Sequence, residues 1–210
     1  MPVETYARQF NRRRLTGAEA ARRVLQANGV HGVRIDRVSG KLTDHFDPKA
    51  NVIRLSDSVY DSTSTAAIGV ACHEAGHAIQ DAVAYAPLRF RLQIIPVCNI
   101  GSNLAMPLFL IGLILSSAAQ TGNEIGYWLM MIGIACFSLA ALFQLVTLPV
   151  EFNASRRAVE GMSECGILTD EEIPAAKKVL SAAAMTYVAA LATSLLSLLR
   201  LLVIANNRRR

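Results

Sequence analysis

One short segment of the chain combines residue types that could activate water on a metal ion. It reads His73-Glu74-Ala75-Gly76-His77 and matches the pattern H-E-x-x-H. Residues four apart lie on one face of a helix, so both imidazoles could reach a single ion. Glu74 lies one position round the helix, where its carboxylate could hold the attacking water and accept its proton. The pattern predicts a zinc site for peptide-bond hydrolysis.

This pattern is rare by chance. From the histidine and glutamate content of the chain, about 0.003 occurrences are expected. The alternative is a pair of surface histidines beside an acid that bind nothing. The four cysteines contain no C-x-x-C pair, so they predict neither a thiolate zinc site nor a disulfide framework.

A zinc peptidase site needs a third protein ligand and an open coordination position. The chain has only two other histidines, His31 and His45. Glu151 directly follows an apolar segment that could return it to the side of the H-E-x-x-H helix, so it is a candidate ligand. Glu160 and Glu164 come later and are less constrained. The alternative for Glu151 is a carboxylate at a helix N-terminus, stabilised by the helix dipole.

Local patterns predict the elements that must position these residues. A capping box, Thr16 with Glu19, predicts a helix over about 17–28. Three β-rich segments within 33–55 predict a small three-stranded antiparallel sheet. A loop rich in Ser, Thr and Asp precedes a helix over about 65–84, which carries the H-E-x-x-H pattern and is ended by Pro87. The predicted fold class is α+β.

Two long apolar segments predict a membrane hairpin. Over 92–150 the only charged residue is Glu124. The segments 94–117 and 125–150 are each long enough to cross a hydrocarbon core of about 30 Å. The turn between them has no Lys or Arg, whereas arginines flank the other ends of the hairpin: Arg89, Arg91, Arg156 and Arg157. The positive-inside rule therefore places the polar part of the chain in the cytoplasm.

A third apolar segment covers 179–205 and allows two interpretations. It could cross the membrane, or it could form a long helix packed against the H-E-x-x-H helix at the membrane surface. The chain is accordingly divided into three parts. Residues 1–91 form the N-terminal half of a zinc peptidase domain, 92–150 a transmembrane hairpin, and 151–210 the third-ligand helix and a long C-terminal helix.

Three stretches of the chain resemble the YugP-type neutral zinc metallopeptidases of bacterial membranes. They are residues 40–48, 71–80 and 148–158, and the similarity extends over about 15–205. More distantly, the order of elements resembles the HtpX and CAAX-prenyl-protease type of gluzincin. In those proteins a glutamate on a later helix, in a Glu-x-x-x-Asp pattern, completes the zinc site.

The resemblance implies a minimal gluzincin-like domain that binds one Zn²⁺ per chain. His73, His77 and Glu151 would be the ligands and Glu74 the base. Ser155 occupies the position of the Asp in the Glu-x-x-x-Asp pattern, so Ser155 or Asn153 could contact a zinc histidine instead.

Two further residues are weaker candidates. Tyr187 could donate a hydrogen bond to the oxyanion, although a tyrosine in an apolar helix is more often a packing residue. His45 could be a further metal ligand, although its surroundings suit a hairpin turn.

The predicted function is that of a membrane-bound zinc endopeptidase, multi-pass in the bacterial inner membrane, with its active site facing the cytoplasm. Its substrates would be peptides or membrane proteins. The net charge of +5 is not interleaved with aromatic residues, which argues against nucleic acid as a partner. The sequence indicates no oligomeric state.

Two other functions were weighed. A zinc transporter is disfavoured because the apolar segments contain one carboxylate, at a loop edge, and no histidine. A catalytically idle, zinc-stabilised scaffold is disfavoured by the presence of Glu74.

Overall fold

The computed structural model describes residues 9–118 and 124–209. Two compact units are formed, one within 1–89 and 149–186 and the other within 90–148 and 187–210. The elements in chain order are α1 (Gly17–Ala27), β1 (Arg34–Val38), β2 (His45–Asp47), β3 (Val52–Ser56), α2 (Asp57–Tyr60), α3 (Thr65–Ala82), α4 (Ala86–Ala118), α5 (Glu124–Glu164) and α6 (Ile173–Arg209). The predicted combination of long helices with a small sheet is confirmed.

Helix α1 begins at the predicted capping box. The Thr16 hydroxyl accepts the Glu19 backbone N–H at 3.2 Å, and the Glu19 carboxylate accepts the Thr16 N–H at 2.8 Å. Two of the four free N–H groups of the first turn are thereby satisfied. Val24 and Leu25, on the apolar face of α1, are buried in the core of the first unit.

The sheet is mixed rather than antiparallel. Its strand order is β1-β3-β2. Strand β2 pairs antiparallel with β3, as expected for a hairpin, with Phe46 opposite Ile53. Strand β1 pairs parallel with β3, with Ile35 opposite Ile53, so the antiparallel prediction is wrong for this pair. The segment 39–44 carries the chain past the position that β3 later fills, which places β1 and β2 on opposite edges.

Helix α3, which carries the H-E-x-x-H pattern, lies in the core of the first unit. It begins where the Ser64 hydroxyl accepts the backbone N–H of Ala67, and it ends at Ala82. Ile68, Cys72 and Ile79 on this helix are fully or almost fully buried. Pro87 lies in the first turn of α4, where its missing N–H leaves no helix hydrogen bond unmade.

Gly76 allows the backbones of α3 and α5 to approach closely. A Cβ atom on Gly76 would lie 2.6 Å from the carbonyl oxygen of Ala154. Any larger residue at this position would therefore push the two helices apart. Ala154 lies between Glu151 and Ser155 on α5. The contact therefore determines which part of α3 these two side chains face.

Helix α5 runs without a break from Glu124 to Glu164. The second apolar segment and the segment that carries Glu151 are therefore one helix. Glu151 lies in the interior of α5, so the alternative of a carboxylate at a helix N-terminus is wrong.

The second unit consists of helical segments in close contact. Cβ atoms on Gly126 and Gly133 would each lie 2.8 Å from a backbone oxygen of α4, and small residues at such contacts are typical of membrane helices. Its core contains Phe109, Met130 and Leu201. Large apolar side chains are exposed on the outside, among them Val97, Ile100, Ile114, Trp128 and Leu196.

Within the described residues, three helices are long and apolar enough to cross a membrane. They are α4 over Ala86–Ser117, α5 over Glu124–Glu164 and α6 over Ile173–Asn207. The third apolar segment of the sequence therefore meets the same criterion as the two arms of the predicted hairpin.

A buried carboxylate connects the N-terminal segment to the start of α6. Glu172 is 5% exposed and accepts the backbone N–H groups of Arg12 and Thr169, each at 2.8 Å, and the Thr169 hydroxyl at 2.9 Å. Burial opposes ionisation, but these hydrogen bonds and the nearby arginine outweigh it, so the pKa of Glu172 is lowered.

We expect Gly76→Ala to destabilise the protein by about 1–3 kcal/mol, because the new methyl group collides with the backbone of α5. Gly69→Ala, on the same helix, is the control. Its nearest contact is 3.7 Å away, so the helix propensity of alanine should stabilise it by up to about 1 kcal/mol. Thermal unfolding in detergent measures both effects. Equal transition temperatures for the two variants would contradict the close contact at Gly76.

Glu172→Gln should reduce the free energy of unfolding by about 1–3 kcal/mol near neutral pH. A lowered carboxyl pKa contributes stability above the unfolded value of about 4.3 and loses it as the pH falls through the folded value. The difference between wild type and variant should therefore shrink towards pH 3. Glu171→Gln, which removes only an exposed ion pair with Arg12, should change little. A difference that does not depend on pH would contradict this prediction.

Candidate metal centre

Three side chains of ligand type meet between α3 and α5. Glu151 Oε2 lies 3.2 Å from His73 Nε2 and 3.6 Å from His77 Nε2. The two imidazole rings are edge-on, with centroids 4.7 Å apart. Among the described residues this is the only group of three or more His, Cys, Asp or Glu that could hold a metal ion, and its ligand atoms all lie within 4.8 Å of one another. We call it the ligand cluster.

The geometry of the ligand cluster fits a zinc ion. Zinc takes nitrogen and oxygen ligands at about 2.0–2.2 Å in a tetrahedral arrangement, which separates neighbouring ligand atoms by about 3.4 Å. The observed separations of 3.2 and 3.6 Å lie on either side of that value. Two imidazoles and one carboxylate leave a fourth position for water or substrate. Glu151 is 3% exposed, and a cation beside it would offset the cost of burying its charge.

Without a metal, a proton can provide this balance. Burial disfavours the charged form of His77, but the hydrogen bond to Glu151 and the negative charges of Glu74 and Glu151 outweigh burial. The pKa of His77 is therefore raised. A metal ion bound here would have to displace that proton, so acidification should weaken metal binding.

The Nδ1 atom of each histidine contacts a polar side chain. His73 Nδ1 lies 3.2 Å from the Ser155 hydroxyl, and His77 Nδ1 lies 3.0 Å from the side-chain oxygen of Gln80. Ser155 is four residues after Glu151 and shares its face of α5. One face of α5 thus provides a candidate ligand and a contact to a second one. Contacts of this kind fix the ring orientation and the tautomer of ligand histidines.

The other predicted residues are placed as follows. Glu74 is buried on α3, with 8% of its surface exposed. Asn153 contacts neither histidine of the ligand cluster; it accepts hydrogen bonds from Gln80 and Arg157. His45 lies outside the cluster, 2.7 Å from the Thr43 carbonyl oxygen and 3.3 Å from Arg54. Tyr187 lies on α6 in the second unit, and its role in oxyanion binding stays a prediction.

Sequence reasoning missed Gln80. Its spacing of three residues from His77 puts both on one face of a helix, and its amide can both donate and accept hydrogen bonds. Those two signals could have identified it as a partner of the histidine.

A cavity of about 480 Å³ opens between α5 and α6 beside the ligand cluster. Its walls are mainly apolar. They include Ser155, which also contacts His73, together with Phe152, Val159, Leu180 and Met185. Lys177 and the ion pair of Arg156 with Glu160 line its polar part.

Comparison with known proteins agrees with this geometry. A family model described as "Putative neutral zinc metallopeptidase" matches residues 2–206. The chain belongs to this family. It is also 49% identical over 194 residues to a Bacillus subtilis (strain 168) protein named "Putative membrane protease YugP"; the match covers 92% of this chain and 82% of that protein. No solved structure matches. The resemblance inferred from the three sequence stretches is therefore confirmed.

Glu151→Ala should abolish stoichiometric zinc binding by this member of the family, because it removes one of three candidate ligands that converge. His45→Ala should leave one zinc per chain, because His45 lies outside the ligand cluster. Elemental analysis of the detergent-purified variants measures the ratio. Zinc that survives Glu151→Ala and is lost with His45→Ala would move the third ligand to the β2 strand.

Proposed function

We propose that the chain is a membrane-bound zinc endopeptidase in which His73, His77 and Glu151 hold one Zn²⁺. The single observation that carries the proposal is the meeting of these three side chains on two helices at separations that suit zinc. Membership of the neutral zinc metallopeptidase family and the name of the Bacillus relative support it.

Glu74 would act as the general base and then as the general acid. Zinc, when bound, supplies a Lewis acid that polarises the scissile carbonyl and lowers the pKa of water. The Glu74 carboxylate accepts a proton as the water oxygen bonds to the carbonyl carbon. It then delivers that proton to the amide nitrogen as the carbon–nitrogen bond breaks, leaving a carboxylate and an amine. Its burial beside the ligand cluster suits a group that must exchange a proton with reactants rather than with bulk water.

The sheet offers a place for an extended substrate. Strand β2 is hydrogen-bonded to β3 on one edge only, and α3 packs beside it. A peptide that paired with the free edge of β2 would lie next to the zinc helix in an extended conformation. Recognition through backbone hydrogen bonds does not require a terminus of the substrate, which favours cleavage within a chain.

The membrane arrangement is the finer part of the proposal. The segment 119–123, which joins two of the long apolar helices in the sequence, contains no basic residue, whereas Arg89, Arg156 and Arg157 lie towards the other ends of those helices. The positive-inside rule then places the ligand cluster on the cytoplasmic side of the bacterial inner membrane. Substrates would be peptides or membrane proteins reached from that side.

Glu74→Gln should retain one zinc per chain and lose about 10²–10⁴-fold of the turnover number, because the amide cannot accept the proton. Cleavage of casein or of fluorogenic peptides measures turnover, and elemental analysis measures zinc. Glu164→Gln, at an exposed position near the end of α5, is the matched control and should behave as wild type. Unchanged cleavage by the Glu74 variant would refute this mechanism.

Cysteine substitution tests the orientation. In spheroplasts, a cysteine in place of Thr121 should react with a membrane-impermeant maleimide, because the proposed orientation puts the segment 119–123 outside the cell. A cysteine in place of Lys41, at an exposed position before β2, should react only after the membrane is permeabilised. The reverse pattern of labelling would place the ligand cluster outside.

A further inference from the structure

The Gln80 side chain forms three polar contacts next to the ligand cluster. It is fully buried. Its side-chain oxygen lies 3.0 Å from His77 Nδ1, and its amide nitrogen donates to the Val150 carbonyl at 2.8 Å and to the Asn153 side-chain oxygen at 3.0 Å. A buried primary amide offers two donors and one carbonyl oxygen, and here all of them are used.

The orientation of this amide follows from its partners. The Val150 carbonyl can only accept a hydrogen bond, so the group that faces it must be the amide nitrogen of Gln80. Asn153 is fixed in the same way, because Arg157 can only donate and its Nε lies 2.9 Å from the Asn153 oxygen. The oxygen of Gln80 is therefore the atom that faces His77.

This orientation determines the tautomer of His77. A glutamine oxygen can only accept, so His77 Nδ1 must carry the proton. In the neutral ring Nε2 then has a free lone pair, and Nε2 is the atom that faces Glu151. Two electron-pair donors thus face each other at 3.6 Å, an arrangement that a metal ion between them would stabilise.

Gln80 also connects two of the three candidate ligands. It lies three residues after His77 on α3, and the carbonyl that it holds belongs to Val150, which directly precedes Glu151 on α5. A shift of α5 along α3 would break the bond to Val150 or the bond to His77. The spacing between the second and the third ligand therefore depends on one side chain.

We propose that Gln80 is a positioning residue of the metal centre: its amide holds His77 in the Nδ1–H tautomer and fixes the distance between His77 and the backbone that carries Glu151. The role as a determinant of zinc affinity rests on the proposed zinc site. The tautomer does not, because it can be measured on the metal-free protein.

The first test is ¹⁵N NMR of metal-free protein labelled only at its four histidines. The pH is raised until the His77 ring carries a single proton, because, despite its burial, contact with Glu151 raises its pKa above the ordinary histidine value. His77→Gln identifies the signals of His77. We expect a protonated Nδ1 and an unprotonated Nε2 in wild type. The opposite tautomer in wild type would overturn the proposal, whatever the variants do.

Three variants separate positioning from general stability. Gln80→Met keeps the volume and removes every hydrogen bond; we expect a mixture of His77 tautomers and a zinc dissociation constant about 10–100-fold higher. Gln80→Glu keeps an acceptor for His77 and loses the donor to Val150, so it should keep the tautomer, have a zinc affinity between those of wild type and Gln80→Met, and unfold at a lower temperature. Asn153→Ala leaves the bonds of Gln80 to His77 and Val150 in place and should retain the tautomer.

The outcomes can be told apart. An unchanged tautomer and zinc dissociation constant in Gln80→Met would overturn the positioning role. If zinc affinity falls in proportion to the unfolding temperature in all three variants, Gln80 acts only through general stability, and the positioning role is refuted. If Gln80→Met does not fold, the comparison of Gln80→Glu with Asn153→Ala decides by the same criteria. Failure of wild type to bind zinc at all would refute the proposed function and leave the tautomer result standing.

Discussion

The close approach of helices α3 and α5 is the constraint on which the candidate site depends. At Gly76 the two helices have no room for a methyl group, and the atom in the way is the backbone oxygen of Ala154. This close approach brings ligand-type side chains on two separate helices within reach of one ion. The contact also buries the Glu151 carboxylate, and burial of a carboxylate costs free energy that a neighbouring cation offsets. Helix packing therefore favours a positive charge beside Glu151, either a metal ion or a proton.

The local parts of this arrangement could be predicted from the sequence. The capping box at Thr16 and the period of the zinc helix are short-range signals, and both appear in the structure. Topology suggested Glu151 as a candidate ligand, because an apolar hairpin returns the chain to the side from which it left. Its place in the interior of a continuous helix was not predicted. The sequence changes from apolar to polar near Glu151, and that change does not indicate whether a helix ends there or continues.

Non-local features could not be predicted. The direction of β1 relative to β3 is set by how six residues cross the sheet, and no pattern within either strand encodes it. Gln80 was overlooked because its function depends on the Val150 carbonyl, a backbone group on a helix seventy residues later. Ser155 presents the opposite case. Its position relative to Glu151 suggested a contact with a zinc histidine, and the structure places it beside His73.

The central claim is that two imidazoles and one carboxylate form a zinc-binding set between α3 and α5. X-ray absorption spectroscopy at the zinc edge of the zinc-loaded protein tests this most directly, because it reports the number and type of the atoms bound to zinc. The account predicts two imidazole nitrogens and one or two further oxygen atoms at about 2.0–2.2 Å. A sulfur atom at about 2.3 Å, or a shell with a single imidazole, would contradict it.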